Sequence, residues 1–419
     1  MTYGKSIKGL FFAEEGNKEM GFISNIARFV LAGVTMWQSH SRFVIPSALV
    51  GFFGVLMLLS NLIHTIYNFD KLNWINKVVD YGWTSVYLTS SYIVVYHKEE
   101  IKSLSEELDR WWQYTYLERE TAKLKKKSED WMRTFNSYYV TCGCISWVFY
   151  VGLPAVKFFY KTPEQRNEAL IFVAWTPFQL DTTWGYFITY GLEVVMMAFA
   201  QCIYIQIFQL LMTFAIVMGH QMRLIGTSLL TIFKRIKRMM KNMTFESRIE
   251  FYEVRDLLLE KELGNAIMHF QNLYRCSSRL SRIFASITNV TYHGGVWVMC
   301  SIAVKAATEM SFVAVLQAFM MIGAVTLSQY VYSFFNECLI EEVQKLRNEV
   351  YDSPWYEMPT KSRKTFQIFQ SMLDSDRFPT LRTIMGIRTN MENLSKVINA
   401  SYCYFSMLIT IKSSSETTE

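Results

Sequence analysis

The chain alternates long apolar runs with shorter polar ones, and the apolar runs have the length of a membrane crossing. About 20 mostly apolar residues span the hydrocarbon core of a bilayer. Six stretches without Asp, Glu, Lys or Arg reach or approach that size: residues 43–69, 81–97, 134–156, 194–222, 283–304 and 310–336. The second is short and follows Asp80; the fourth reads as starting earlier, near Tyr186, which places Glu193 inside the membrane. A seventh run, free of charge only over 397–411, has Glu392 and Lys396 just ahead of it. It is kept as a span over 391–412 because a helix that lines a water-filled path is less apolar than one facing lipid. The pattern predicts an all-α membrane protein of seven transmembrane helices.

Between the spans, Leu263, Ile267, Phe270 and Tyr274 recur at three- and four-residue spacing, the signature of a helix packed on one face. No proline lies between Pro177 and Pro354, which allows spans four, five and six to continue beyond the membrane as long uninterrupted helices. The expected organisation is a cytoplasmic N-terminal segment (1–42), spans one to four (43–222), a cytoplasmic helical link (223–282), spans five and six (283–336), a second cytoplasmic helical segment (337–390), span seven (391–412) and an extracellular tail (413–419). The helical link and the second segment together form an anchor domain under the membrane.

Charge sets the orientation. Of the 42 Lys and Arg, 5 precede the first span, 9 lie between spans two and three, 12 between four and five, and 8 between six and seven. By the positive-inside rule those loops and the N-terminus are cytoplasmic and the C-terminus is extracellular, opposite to a G-protein-coupled receptor. The sequons at Asn242, Asn289, Asn393 and Asn399 then fall in cytoplasm or membrane. The N-terminus has no hydrophobic signal core, so insertion is expected to use internal segments.

Composition agrees: 51% of the 419 residues are apolar and 16% aromatic. A net charge of +6 implies no nucleic-acid partner. The seven cysteines show no repeated spacing and no histidine at ligand distance, so neither a disulfide framework nor a zinc site is expected, and no cofactor. His293-Gly-Gly lacks a partner Gly-x-Ser-x-Gly, which argues against a membrane hydrolase. No internal repeat points to a transporter. The basic clusters at 123–127 and 234–238 read as solvated faces near an anionic leaflet, with calmodulin binding as the alternative.

On the seventh span, Asn399, Cys403, Ser406 and Thr410 follow each other at spacings of four, three and four and share a face, with Ile398, Tyr402, Phe405 and Ile409 assigned to the opposite side. A small polar stripe of this kind fits a conducting wall and a helix-packing face equally well.

Three motifs carry a resemblance to a known family. They are Tyr332-Ser-Phe-Phe-Asn-Glu-Cys-Leu-Ile-Glu-Glu342, Tyr351-Asp-Ser-Pro-Trp-Tyr-Glu-Met-Pro359 and Ala400-Ser-Tyr-Cys-Tyr-Phe-Ser-Met-Leu408. In that order, on an inverted seven-span layout, they resemble the insect odorant receptors. Cys338 departs from the commoner residue after the Asn-Glu pair. The resemblance implies a tetrameric cation channel at the plasma membrane of olfactory neuron dendrites, with the seventh span of each subunit lining one pore. It implies a tuning subunit that partners a co-receptor, since the link 223–282 carries no long polar insertion. It also assigns the polar stripe to the pore, with Met407 as the apolar gate and Ile411 beside it. Lys396, on the same side, snorkels away from permeating cations. A gustatory receptor or a metabotropic seven-helix receptor is the alternative.

A small volatile ligand calls for an apolar and aromatic pocket with a few polar groups. By the family's layout it lies in the outer half of the bundle. The residues placed there are Tyr81, Trp83, Thr84 and Tyr87 on span two, Trp147 and Tyr150 on span three, and Tyr190, Glu193, Val194 and Met197 on span four. Each aromatic also fits an interfacial belt, and Glu193 also fits an interfacial carboxylate at a helix start. For the topology, a tag after Glu419 is expected to be labelled on intact cells and a tag at Met1 is not; the reverse pattern would overturn the orientation.

Overall fold

Local signals start and stop the long helices. Ser247 caps one of them, its hydroxyl accepting from Glu250 N at 3.1 Å, while the Glu250 carboxylate accepts from Glu246 N at 2.8 Å. Thr182 caps another, accepting from Gly185 N at 3.2 Å. Both satisfy amides that a first helical turn leaves without partners. Pro354 ends a third shortly after Asp352, because the residue before proline is disfavoured in a helix.

The computed structural model describes residues 44–67, 81–82, 84–90, 92–93, 96–111, 118–159, 162, 170–171, 177–178, 180, 182–241, 243–309 and 312–416. The expected segment 1–42 lies outside them. The labelled helices are α1 Val44–Tyr67, α2 Lys98–Trp111, α3 Glu118–Phe158, α4 Thr183–Leu230, α5 Ile232–Met240, α6 Arg248–Asn289, α7 Gly295–Glu309, α8 Phe312–Asp352, α9 Thr360–Met372 and α10 Met391–Glu416. Residues 84–90 are also helical, and the described residues contain no named strand. The seven apolar runs coincide with α1, the helical residues between 81 and 93, α3, α4, the α6–α7 junction, α8 and α10. Among the described residues, Thr121–Val156, Ile207–Leu230 and Ala318–Asp352 are long and apolar enough to cross a membrane. The protein is an all-α multi-pass membrane protein. Its last helix runs on to Glu416, through most of the stretch expected to be a tail.

Helices α4, α6 and α8 extend well past their apolar runs and pack together at one end, joined by α5, α9 and α2. Phe214, Met222, Leu273, Phe284, Val343 and Phe369 are buried there. Leu263 and Phe270 are buried, Ile267 packs beside them, and Tyr274 lies at the edge with its ring 5.8 Å from Phe378, so the predicted stripe is the packed face. Outside the membrane each such burial contributes about 1.5–3 kcal/mol. Between helices inside lipid that term vanishes, and close packing and hydrogen bonds take over.

Polar pairs fix the register. Arg223 of α4 grips Glu342 of α8 with two hydrogen bonds, at 2.6 and 2.5 Å. Burial alone would raise the Glu342 pKa, but the hydrogen bonds from Arg223 and Lys345 hold it below the usual carboxylate range. Glu100 of α2 receives Arg279 and Arg282 of α6 at 3.3 and 2.8 Å.

Span five departs from the expected continuous helix. The absence of proline permits an unbroken rod, yet Val290–Gly294 form a π-helical turn between α6 and α7. Gln329 of α8 lies against this turn, its Nε2 donating to Thr291 O at 3.1 Å. It sits so close to Gly295 that a Cβ there would come within 2.1 Å of that nitrogen. Thr291 O also accepts from Gly295 N, so the Gln329 amide is a second donor to a carbonyl that stays in the ladder, and the π turn forms without proline.

The segment leading into α10 is held from two sides. Asn336, buried on α8, donates to Thr389 O at 2.6 Å and Leu381 O at 3.3 Å and accepts from Leu381 N at 3.0 Å. On α6, Ser281 donates to Thr380 O at 2.7 Å and Ser277 donates to Pro379 O. Gly386, at φ 81°, makes the tight turn between them. Asn336→Leu should therefore strand buried backbone groups of Leu381 and Thr389 and cost roughly 2–3 kcal/mol. Thermal unfolding of the detergent-purified chain checks this, and an unchanged midpoint would contradict it.

Candidate ligand cavity and pore helix

Helices α3, α4 and α8 enclose a cavity of about 280 Å³. From α3 come Tyr139, Ser146, Trp147 and Tyr150, from α4 Met197 and Gln201, and from α8 Phe319, Met320, Met321 and Leu327. Helix spacing at its floor depends on Gly143, where a Cβ would stand 2.7 Å from Ile205 Cδ1 and 3.2 Å from Gln201 Nε2. Trp147 Nε1 is buried and donates to no acceptor among the described residues. Apolar walls with Gln201, Ser146 and one indole N–H suit a small, weakly polar organic molecule.

Three of the ten residues expected at a ligand site, Trp147, Tyr150 and Met197, line this cavity. Tyr190 is engaged elsewhere: its hydroxyl donates to Val151 O at 2.5 Å. Its ring stacks on Tyr186, which stacks on Phe158. Glu193 is buried and accepts from Ile171 N at 2.9 Å, so it ties an inter-helix segment to α4 and does not line the cavity. Tyr81 pairs with Thr65 of α1 at 3.0 Å. Thr84 is buried, Tyr87 packs on the main core and Val194 is half-buried, all away from the cavity lining. Trp83 lies outside the described residues. The sequence reading missed Gln201 and the α8 wall. An aromatic and methionine cluster at 319–321 was its only local trace, because which spans face one another is not written along the chain.

The rotation of α10 is set by α7. Cys300 Sγ donates to Ser401 O at 3.1 Å, and Trp297 stacks on Tyr404 with centroids 5.5 Å apart. Leu394 and Ser401 are buried and Val397 packs on the core. At about 100° per residue, these lie on the opposite side of the helix from Asn399, Cys403, Ser406 and Thr410, all of which are exposed. Among the described residues the polar stripe is therefore exposed and not the face that packs on α7. Nor are Ile398, Tyr402 and Ile409 its packed opposite side; they form an exposed flank, Tyr402 with 69% of its surface free, and only Phe405 is half-buried. The packed side of α10 lies roughly a quarter turn from the residues that the spacing pattern set opposite the stripe. Met407 is exposed beside the stripe, and Ile411 continues the helix with its side chain outside the described residues. Lys396 pairs with Glu392 one turn earlier, at 2.6 Å.

The model of the family described as 7tm Odorant receptor matches residues 81–402. The chain belongs to the odorant receptor family. Among solved structures, the insect olfactory receptor OR5 from Machilis hrabei superposes with a TM-score of 0.73 at 12% identity, covering 93% of this chain and 97% of that one. The same receptor in complex with eugenol gives 0.70 at 13% identity, again covering 93% and 97%. At such identities the likeness is one of fold. No curated protein matches the chain.

Proposed function

We propose that this odorant receptor is the tuning subunit of a tetrameric, odorant-gated, non-selective cation channel. A small volatile ligand occupies the cavity between α3, α4 and α8, held by Trp147, Tyr150 and Met197 with Gln201 as its polar contact. Tyr190 and Glu193 support the wall from the far side. The other subunits include a co-receptor, and the assembly sits in the plasma membrane of olfactory neuron dendrites with the N-terminus in the cytoplasm. The α10 helices surround one pore, with Asn399, Cys403, Ser406 and Thr410 along its wall and Met407 and Ile411 forming the apolar constriction that closes it by dewetting. The joined ends of α4, α6 and α8 make the cytoplasmic anchor.

The observation that carries this reading is the orientation of α10, whose polar stripe is exposed while its opposite side packs on α7. Such a stripe is costly against lipid and gains water or a like helix in a central assembly. The eugenol complex of the Machilis hrabei receptor supports a small aromatic alcohol as the type of ligand.

The test is current recording from cells expressing the chain with and without a co-receptor, across a panel of volatile compounds. Odorant-evoked cation current should need the co-receptor. Trp147→Ala should shift the half-activating concentration by roughly tenfold, about 1.4 kcal/mol of lost contact, with ion selectivity unchanged. Altered selectivity at an unchanged half-activating concentration would place Trp147 in the conduction path and overturn the assignment.

A further inference from the structure

A second cavity, of about 180 Å³, lies between the same three helices nearer the start of α3, where its basic run passes into its apolar stretch. One wall is aromatic, made by Trp131, Phe334 and Phe335. These rings are knit together by Phe135, which stacks on Trp131 at 5.1 Å and meets Phe335 edge-on at 5.2 Å. Ser128 and His220 close the back with a hydrogen bond of 2.5 Å.

The other wall is charged, with Lys127, Arg223 and Lys345 facing Glu341 and Glu342. Of the lining side chains three are cationic and two anionic, and a third carboxylate, Glu349, lies close enough to act on Arg223. Glu342 is buried and fully engaged, by Arg223 through Nε and Nη2 and by Lys345 Nζ at 3.0 Å. That leaves Arg223 Nη1 without an acceptor among the described residues, on a side chain 40% exposed. Glu341 lies 3.7 Å from Lys345 on the rim. Lys127 is exposed and makes no ion pair or hydrogen bond among the described residues, and Lys123, Lys125 and Lys126 stand exposed just before it on α3.

An occupant must bring an anion to one wall and hydrocarbon to the other, at a level where a basic segment meets a membrane-spanning one. A soluble anion lacks the second half and a volatile odorant the first. We propose that this cavity binds an anionic phospholipid of the surrounding membrane. Its phosphate meets Lys127 and the free edge of Arg223, and its glycerol and first acyl carbons lie against Trp131 and Phe334. Guanidinium and phosphate match as a charge-assisted pair, and each basic side chain near a membrane surface adds attraction to anionic lipid. The leaflet, the cytoplasmic one, rests on the orientation proposed above.

The receptor, reconstituted in nanodiscs of phosphatidylcholine with a minor fraction of phosphatidylserine, is released into mild detergent and its retained lipid counted by native mass spectrometry. Phosphatidylserine should be retained over phosphatidylcholine. Lys127→Glu and Trp131→Ala should each lower retention about fivefold or more, while Lys241→Glu, an exposed lysine outside the cavity, should leave it unchanged. None of these variants touches the Arg223–Glu342 pair, so the helices stay joined. Equal retention of the two lipids, equal losses from Lys127→Glu and Lys241→Glu, or displacement of the lipid by inorganic phosphate would overturn the proposal. Phosphatidylserine supplied only to the outer leaflet of intact cells tests the orientation separately: loading of the site from that face would keep the lipid site and reverse the leaflet.

Discussion

The contact between α7 and α10 is the interaction on which the functional reading depends. A helix in lipid has no strong preference for one rotation over another unless specific neighbours fix it. Here Cys300 on Ser401 O and Trp297 on Tyr404 fix it at two levels, one turn apart along α10. With that face committed, geometry sends Asn399, Cys403, Ser406 and Thr410 outward from the subunit. A quarter turn of error would bring part of that stripe against lipid or into the bundle and remove its meaning.

What positions α7 in turn is unusual for a span. The π turn at Val290–Gly294 separates α7 from the long rod of α6, and Gln329 of α8 occupies the opening. The opposite end of α10 is held independently, by Asn336 of α8 and the two serines of α6 on the turn at 379–389. Helix α10 is therefore held between the packed ends of α4, α6 and α8, which share an apolar core, and the short α7 that follows the π turn. π turns of this kind are frequent at functional sites. The first cavity lies among α3, α4 and α8, and α8 also touches the π turn and the segment leading into α10.

The fold was legible in the sequence where local physics decides. Apolar run lengths located the spans, and the three- and four-residue spacing from Leu263 to Phe270 located a packed helix face. The polar stripe on α10 was visible for the same reason, since a helix converts spacing into direction. What could not be read was which helix meets which. Trp147 and Tyr150 stand out as aromatic residues in an apolar span, but that Gln201 and residues of α8 line the same cavity required knowing that α3, α4 and α8 meet. Tyr190 and Glu193 looked like ligand groups and are occupied by Val151 O and Ile171 N, partners 39 and 22 residues away in the chain. The π turn was hidden because the lack of proline in a run does not exclude one.

The orientation of the α10 stripe can be tested on Cys403, which is exposed on the stripe, while Cys300 nearby is buried against Ser401. A small charged thiol reagent applied from outside to channels formed with the co-receptor is followed by the change in current. The account predicts modification that is fast while odorant holds the channel open and slow at rest, lost in Cys403→Ala, with Met407→Ala raising the resting current as its smaller side chain lets water into the constriction. Equal rates of Cys403 modification in open and resting channels, with Met407→Ala leaving the resting current unchanged, would mean that the stripe faces another helix and that the pore lies elsewhere.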